Sequence, residues 1–485
     1  MYNRVVDKKP SPNFNILERL DQILDAFVGY AWGMPLVVLL VGGGLFFLIY
    51  SRFMPYRNLR HGVQILTGKY EDPDAPGDIT HFQALSSALA ATVGMGNVSG
   101  VAIAITVGGP GAIFWMWISA LVGMATKFFT CTLAVMYRGK DTSGKVQGGP
   151  MYYITEGLGK KWKPLAIFFS LAGLIGATPV FQSNQLTQII RDTIFAEHGI
   201  FGVDTFVGAG IGLGDSIRLS DALMGLIFVL LVSLVIFGGI KRIGSVAARL
   251  VPLMVFVYVL SVVYIILSNV TDLGYYFGLI VTDAFTGQAA AGGAVGAVII
   301  TGIQRAAFSN EAGIGMEALA HGAAKTREPV REGLVAMIEP AIDTLLVCTM
   351  TALAILMTGV WEIQDVDGIT LTAMAFDEGI PIFGAYLLIF AVFIFSITTM
   401  FTYSYYGTKC LNFLIGAERQ HYYNYFYVIS IFLGAIFTMD IVINMIDGMF
   451  AMMAIPTMTG ALLLSPKVIE ATKDYFRRKD AGEMD

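Results

Sequence analysis

The sequence predicts an all-α membrane protein with about eleven transmembrane helices, and three observations predict it. Hydrophobic residues make up 55% of the 485 and charged residues only 14%, with a mean hydropathy of +0.68; a soluble domain carries roughly 25% charged residues. Apolar runs of 18 or more residues recur, each long enough to cross about 30 Å of hydrocarbon. Lys and Arg gather in alternate loops, as they do when a chain threads a bilayer repeatedly. The net charge of −5 adds little, because placement matters more than the sum. So little polar surface cannot cover a water-soluble body, and no nucleic-acid partner is expected.

The first element is an N-terminal arm, residues 1–33. Within it Phe14, Leu17, Leu20, Leu24, Phe27 and Val28 recur at helical spacing beside Glu18, Asp21 and Asp25, the pattern of an amphipathic helix lying on the membrane surface. No cleavable signal is expected, since the first long apolar run opens near Met34 without a small-residue cleavage site. Spans are then read at 34–52, 82–106, 111–137, 163–190, 219–238, 243–268, 293–322, 331–358, 381–411, 423–439 and 441–464. Residues 465–485 form a tail. With the N-terminus outside, the loops assigned to the cytoplasm hold 22 basic residues and the outside segments 6. That asymmetry puts the C-terminus on the cytoplasmic side, and the expected location is a bacterial inner membrane.

Eleven spans divide as one plus five plus five. Residues 34–81 supply the first span and its loop, 82–268 a first five-helix repeat, and 269–464 a second. Five is odd, so the second repeat must insert upside down. A local echo supports the division: Asn97-Val98-Ser99-Gly100 in the second span and Asn310-Glu311-Ala312-Gly313 in the seventh share Asn-x-x-Gly. An inverted repeat with an interrupted helix in each half is an architecture of secondary transporters.

The second span carries Gly94, Gly96 and Gly100 around Asn97. Each glycine costs a helix about 0.5–1 kcal/mol relative to alanine. Glycines also let helices approach closely in lipid, but Asn97 among them favours a break. A break here would free carbonyls near Ala90–Val93 and amides near Val98–Gly100. Carbonyls can hold a cation, and amides opening a half-helix face a carboxylate favourably. A zwitterion needs both kinds of partner.

The seventh span places Arg305, Glu311 and Glu317 around Ser309-Asn310. Ionisable groups within a span are costly and therefore functional candidates; structural ion pairing is the competing reading, held open for Arg305 and Glu317. In the fourth span Pro179 predicts a kink, and Phe181, Gln182 and Asn184 bring a wall and amides. The ninth offers Ser396, Thr398, Thr399 and Thr402, whose hydroxyls suit an alkali cation or their own helix backbone. Lys127 and Arg138 read as anchors of the inner end of the third span, and Tyr422–Tyr427 as an interface belt. Asp343 in the eighth span reads equally as structural partner or site residue. Cys131, Cys348 and Cys410 lie scattered in apolar stretches, so neither a disulfide framework nor a metal site is expected, and no cofactor.

Taken together, the segments 94–102 (Gly94 to Ala102), Gly108-Gly109-Pro110-Gly111-Ala112, Trp115-Met116-Trp117, Gly123 to Phe128, Gly148 to Tyr153, Phe308 to Gly313, Lys325-Thr326, Pro329-Val330-Arg331 and Ile342-Asp343-Thr344 resemble the alanine or glycine:cation symporters, also called sodium:alanine symporters, of the amino acid-polyamine-organocation superfamily. The resemblance covers roughly residues 34–464. It implies a leucine-transporter-like five-plus-five inverted repeat with the second and seventh helices discontinuous. It also implies sodium-coupled symport of alanine, glycine or a similar neutral amino acid by alternating access. Carried over, substrate contacts fall on Gly94, Gly96, Asn97, Gln182, Ser309, Asn310 and Glu311. Sodium falls between the carbonyls of Ala90 and Val93 and the hydroxyls of Thr398 and Thr399. Partners are then the amino acid, Na+ as coupling ion and the lipid bilayer.

Three other classes compete, besides a proton-coupled carrier of a different amino acid as the alternative within the same class. A channel needs a continuous polar lining, whereas here the polar residues cluster at mid-membrane. A receptor or structural subunit leaves the broken helices unexplained. An intramembrane enzyme would need a Ser/His or metal-ligand constellation, which the spans do not show, so no enzymatic activity is expected.

Overall fold

The computed structural model describes residues 16–195, 206–207, 217–286, 295–363, 366 and 368–483. It is built almost wholly of helices. The amphipathic arm is α1 (Ile16–Ala31); Phe14, one of the residues that predicts it, lies outside the described residues. After a bend of 51° the first span follows as α2 (Met34–Tyr50). A short helix, α3 (Leu59–Leu66), leads into the second span, which is split into α4 (His81–Thr92) and α5 (Met95–Gly108). The third span is α6 (Gly111–Met136). The fourth is α7 (Lys163–Gly176) and α8 (Val180–Ile190), parted where Pro179 withholds an amide. Next come α9 (Leu219–Ile236) and α10 (Gly239–Ser268).

The second half opens with α11 (Leu273–Thr286), then α12 (Val295–Asn310) and α13 (Glu317–His321), the two pieces of the seventh span. α14 (Pro329–Met357), α15 (Gly368–Gly379), α16 (Gly384–Ile415), α17 (Tyr422–Ile436) and α18 (Met439–Asp480) complete the chain. Every predicted span holds helix, and the predicted breaks in the second and seventh are present. Two differences stand out. The segments 269–290 and 359–380, left between the predicted spans as outside loops, contain α11 and α15. The last span does not stop at 464: helix continues to Asp480 through a stretch whose charges hide it from a hydropathy reading.

The spans differ in what surrounds them. The apolar stretch of α4–α5 is 100% buried, whereas that of α10 is 28% buried. α10 therefore turns a broad face to lipid, and α4–α5 sits at the centre. Small residues let the central helices meet. A Cβ on Gly302 of α12 would collide with the Ala112 carbonyl oxygen of α6, so only glycine permits that approach. At the end where α4 begins, Arg138 staples loops together, donating to the carbonyls of Gly322 (2.9 Å), Pro76 (3.0 Å), Thr326 (3.2 Å) and Ala324. At the opposite end Arg305 of α12 pairs with Asp447 of α18, and Trp32 donates to the Asp447 carbonyl at 2.9 Å. Arg305 thus stands in an ion pair, and its guanidinium also lies over the Phe308 ring at 5.3 Å.

Candidate functional site

The two breaks face each other at the centre of the bundle. A Cβ on Gly96 would lie 3.2 Å from the Ser309 Cα and 3.3 Å from the Phe308 ring, so α5 begins directly against the end of α12. In an unbroken helix the Gly94 amide would bond the Ala90 carbonyl four residues back. Here it donates instead to Asn97 Oδ1 at 2.8 Å. The Ala90 carbonyl is left to accept the Thr399 hydroxyl of α16 at 2.8 Å. One side chain, Asn97, therefore creates both an exposed half-helix start and a redirected carbonyl. Because α5 starts at Met95, its unbonded amides sit about three residues before the Val98–Gly100 that the sequence pointed to.

The other face of Asn97 reaches α14. Its Nδ2 donates to Asp343 Oδ1 at 2.5 Å and to the Asp343 carbonyl at 3.1 Å. Ser309 Oγ donates to Asp343 Oδ2 at 2.6 Å, and the Thr344 hydroxyl to the same oxygen at 2.8 Å. Asn310 Nδ2 donates to Thr344 Oγ1 at 2.9 Å. From Ala341 to Cys348 the helix winds in wider π turns, a distortion that often marks functional positions. Asp343 thus stands fully buried between the two breaks with neutral donors around its carboxylate. Of its two sequence readings, this position favours the site residue.

The second break spans Glu311–Met316. Glu311 takes a left-handed backbone at φ 56°, and Gly313 and Gly315 follow at 85° and 96°. Alternating signs of φ turn the chain sharply where only glycine is comfortable, and Glu311 bears real strain. Its carboxylate accepts the Tyr403 hydroxyl at 2.6 Å through Oε1, while Oε2 is buried without a partner among the described residues. Gln182 Oε1 on α8 is a second buried acceptor in that condition. Phe181 and Phe308 close edge to face at 4.8 Å between these helices.

Of the sequence-predicted residues, the structure gathers Gly94, Gly96, Asn97, Ser309, Asn310 and Glu311 at the paired breaks. Ala90, Val93 and Thr399 lie where α4 meets α16. Thr398 does not join them. Its hydroxyl bonds the Ile394 and Phe395 carbonyls of its own helix and points at Met254 of α10, because adjacent helix positions diverge by 100°. Asn184 is likewise drawn away, donating to the carbonyls of Gly434 and Phe437. Lys127 is no rim anchor: it is fully buried, with Nζ 2.7 Å from Glu339 Oε1. Sequence reasoning missed Glu339 and its neighbours Glu332, His321 and His81, although four ionisable residues in or beside apolar spans were the available signal. Among the described residues no group of His, Cys, Asp and Glu is placed to hold a metal ion.

Comparisons with known proteins bear on the family and the fold. The profile of the sodium:alanine symporter family matches residues 17–485. The chain is 37% identical to the sodium/alanine symporter AgcS of Methanococcus maripaludis, over 93% of this chain and 97% of that one. It is 34% identical to the probable sodium/glutamine symporter GlnT of Bacillus subtilis (96% and 93% covered) and 35% identical to the putative sodium/proton-dependent alanine carrier protein YrbD of the same organism (93% and 91%). Among solved structures, MhsT in complex with L-phenylalanine superposes with a TM-score of 0.53 at 13% identity, covering 81% of this chain and 98% of that one. A point mutant of the Eremococcus coleocola manganese transporter gives 0.51 at 15% identity, covering 81% and 83%. These structures share the leucine-transporter fold, and at such identity they speak for the fold alone.

Proposed function

Because the chain belongs to the sodium:alanine symporter family, a family of multi-pass membrane transporters, we propose that it is a sodium-coupled symporter of a small neutral amino acid such as alanine or glycine. One observation carries the reading: the Asn97 switch, which turns the Gly94 amide away from Ala90 and hands that carbonyl to Thr399. The same residue opens an anion-favouring helix start at Met95 and a cation-favouring carbonyl at Ala90. The amino acid's carboxylate binds at the start of α5, and its ammonium group meets the unpartnered acceptors of Gln182 and Glu311. Sodium sits between the Ala90 and Val93 carbonyls and Thr399. Asp343, ringed by neutral donors, draws a positive charge toward the same centre.

Transport follows by alternating access. The ends of α4 and α13 form one side of the site, those of α5 and α12 the other, so each half-helix pair gates one membrane face. Sodium and amino acid bind better together than apart, and that difference is the coupling. In this reading the end where α4 begins faces the cytoplasm of a bacterial cell and the N-terminus lies outside, which the basic loops support. The names of the relatives support both alanine and a larger amide-bearing substrate; the tight Gly96–Ser309 approach favours the smaller.

The test is uptake of labelled amino acids into proteoliposomes under an inward sodium gradient. Alanine or glycine accumulates above its external level and collapses when sodium is equalised. Equal uptake with choline replacing sodium, or accumulation driven only by a pH gradient, overturns the assignment of the ion.

A further inference from the structure

The bundle buries a second polar cluster, away from the breaks, at the end where α4 begins. Glu332 of α14 lies at its centre: one carboxylate oxygen meets His81 Nδ1 of α4, and the other lies 2.5 Å from His321 Nδ1 of α13. Glu339, about two turns along α14, takes Lys127 at 2.7 Å and the Thr92 hydroxyl at 3.0 Å on Oε1. Glu317 accepts from Thr130 at 2.9 Å and from the Gly315 amide at 3.1 Å. The ionic side chains of the cluster are at most 2% exposed.

Their charges do not balance with neutral imidazoles. Counted all three as carboxylates, Glu317, Glu332 and Glu339 bring three negative charges. Lys127 brings one positive charge, and Arg138, at the rim and bonded to carbonyls, a second. Glu311 and Asp343 on the site side, and Cys131 and Tyr406 on neighbouring helices, bring no positive charge. An excess negative charge so deeply buried is strongly disfavoured. Geometry shows where a proton would repair it. With both histidines turned through Nδ1 to Glu332, His321 Nε2 faces Glu339 Oε2 at 3.9 Å. Neither atom has a hydrogen-bond partner among the described residues, and both residues are wholly buried. Two lone pairs aimed at each other repel; a proton on Nε2 turns the pair into an ion pair.

We propose that His321 and Glu339 form a proton-binding site, occupied while this end of the bundle is sealed and emptied when it opens. Opening parts α4 and α13 from α14, admits water and screens the carboxylates, so the need for the proton lapses. This rests on the alternating-access reading above and adds to it that amino acid and sodium together favour the form sealed at this end.

The test is calorimetric titration of the purified full-length protein with alanine in sodium, repeated at one pH in buffers of different ionisation enthalpy. The slope against buffer enthalpy counts protons. Wild type takes up a substantial fraction of about one proton per alanine bound. His321→Gln loses that uptake while binding alanine within about threefold of wild type, and Glu339→Gln does the same should His321→Gln fail to fold. Binding with no proton uptake in wild type between pH 6 and 8 overturns the proposal on its own, as does full uptake retained in a folded His321→Gln. Absence of any binding heat across neutral amino acids would instead strike the symporter assignment.

Discussion

The two interrupted helices reach the same end by different means. The break between α4 and α5 is short and held by one side chain: Asn97 bonds the Gly94 amide and, through its other end, Asp343. The break between α12 and α13 runs over six residues and is held by backbone shape, with positive φ at Glu311, Gly313 and Gly315. Side chains only trim it, Asn310 Oδ1 accepting the Ala312 amide at 3.0 Å and Thr457 donating to the Ile314 carbonyl at 2.9 Å. The first break can thus be abolished by removing a functional group, and the second only by forbidding a conformation.

That contrast orders the expected effects. Asn97→Ala removes buried bonds of about 1–3 kcal/mol each and should cut sodium-driven alanine uptake roughly 100-fold or more, with unchanged membrane insertion by protease accessibility. Gly315→Ala should act through folding instead. Its Cβ would lie 2.5 Å from Thr457 Oγ1 and 2.7 Å from Pro150 Cγ at a φ of 96°. We expect a thermal midpoint lower by about 5 °C or more, seen by scanning fluorimetry, with uptake falling in proportion to folded protein. Tyr403→Phe, which strips one donor from Glu311, should cost about 1–2 kcal/mol and roughly tenfold in alanine affinity, leaving the thermal midpoint near wild type. If Tyr403→Phe proved as severe as Asn97→Ala, the second break would depend on side chains after all.

The smallest effect lies outside the breaks. In the loop after α6, burial raises the Asp141 carboxyl, but hydrogen bonds from Ser143, Lys145, Gln147 and Asn412 outweigh it and hold the group at about 2 against an ordinary 3.8. On α3, burial and then Lys479 push His61 down to about 4 from 6.5. Both groups bind protons less readily folded than unfolded. Their stabilisation is complete above the unfolded values and drains as pH falls, from about 6.5 to 4 for His61 and from about 3.8 to 2 for Asp141. The thermal midpoint should therefore sag gently below pH 6.5, and His61→Gln should flatten the upper part of that curve.

Much of this was legible in the sequence, for a physical reason. Lipid leaves the backbone few options, so apolar length gives the spans, and a helix that must break needs glycines with an amide to stitch it, as at 94–100. The same logic could not place α11 or α15, which are short and partly sheltered. Nor could it choose between Thr398 and Thr399, whose directions depend on how α16 is rotated. Asp343 needed the π turns of α14 to bring it between the breaks. The pairing of Lys127 with Glu339 and of His321 with Glu332 comes from separate helices meeting, and a single chain of letters carries no register between them.

The central claim is that one carbonyl released at the first break, with Thr399, holds the ion that makes amino-acid binding possible. Equilibrium binding of labelled alanine to purified protein, titrated with sodium, tests it most directly in wild type, Thr399→Ala and Thr398→Ala. The account predicts alanine binding that rises with sodium, a curve moved several-fold to higher sodium by Thr399→Ala, and an unmoved curve for Thr398→Ala. Alanine binding equally well in choline, or a shift caused by Thr398→Ala and not by Thr399→Ala, would contradict it.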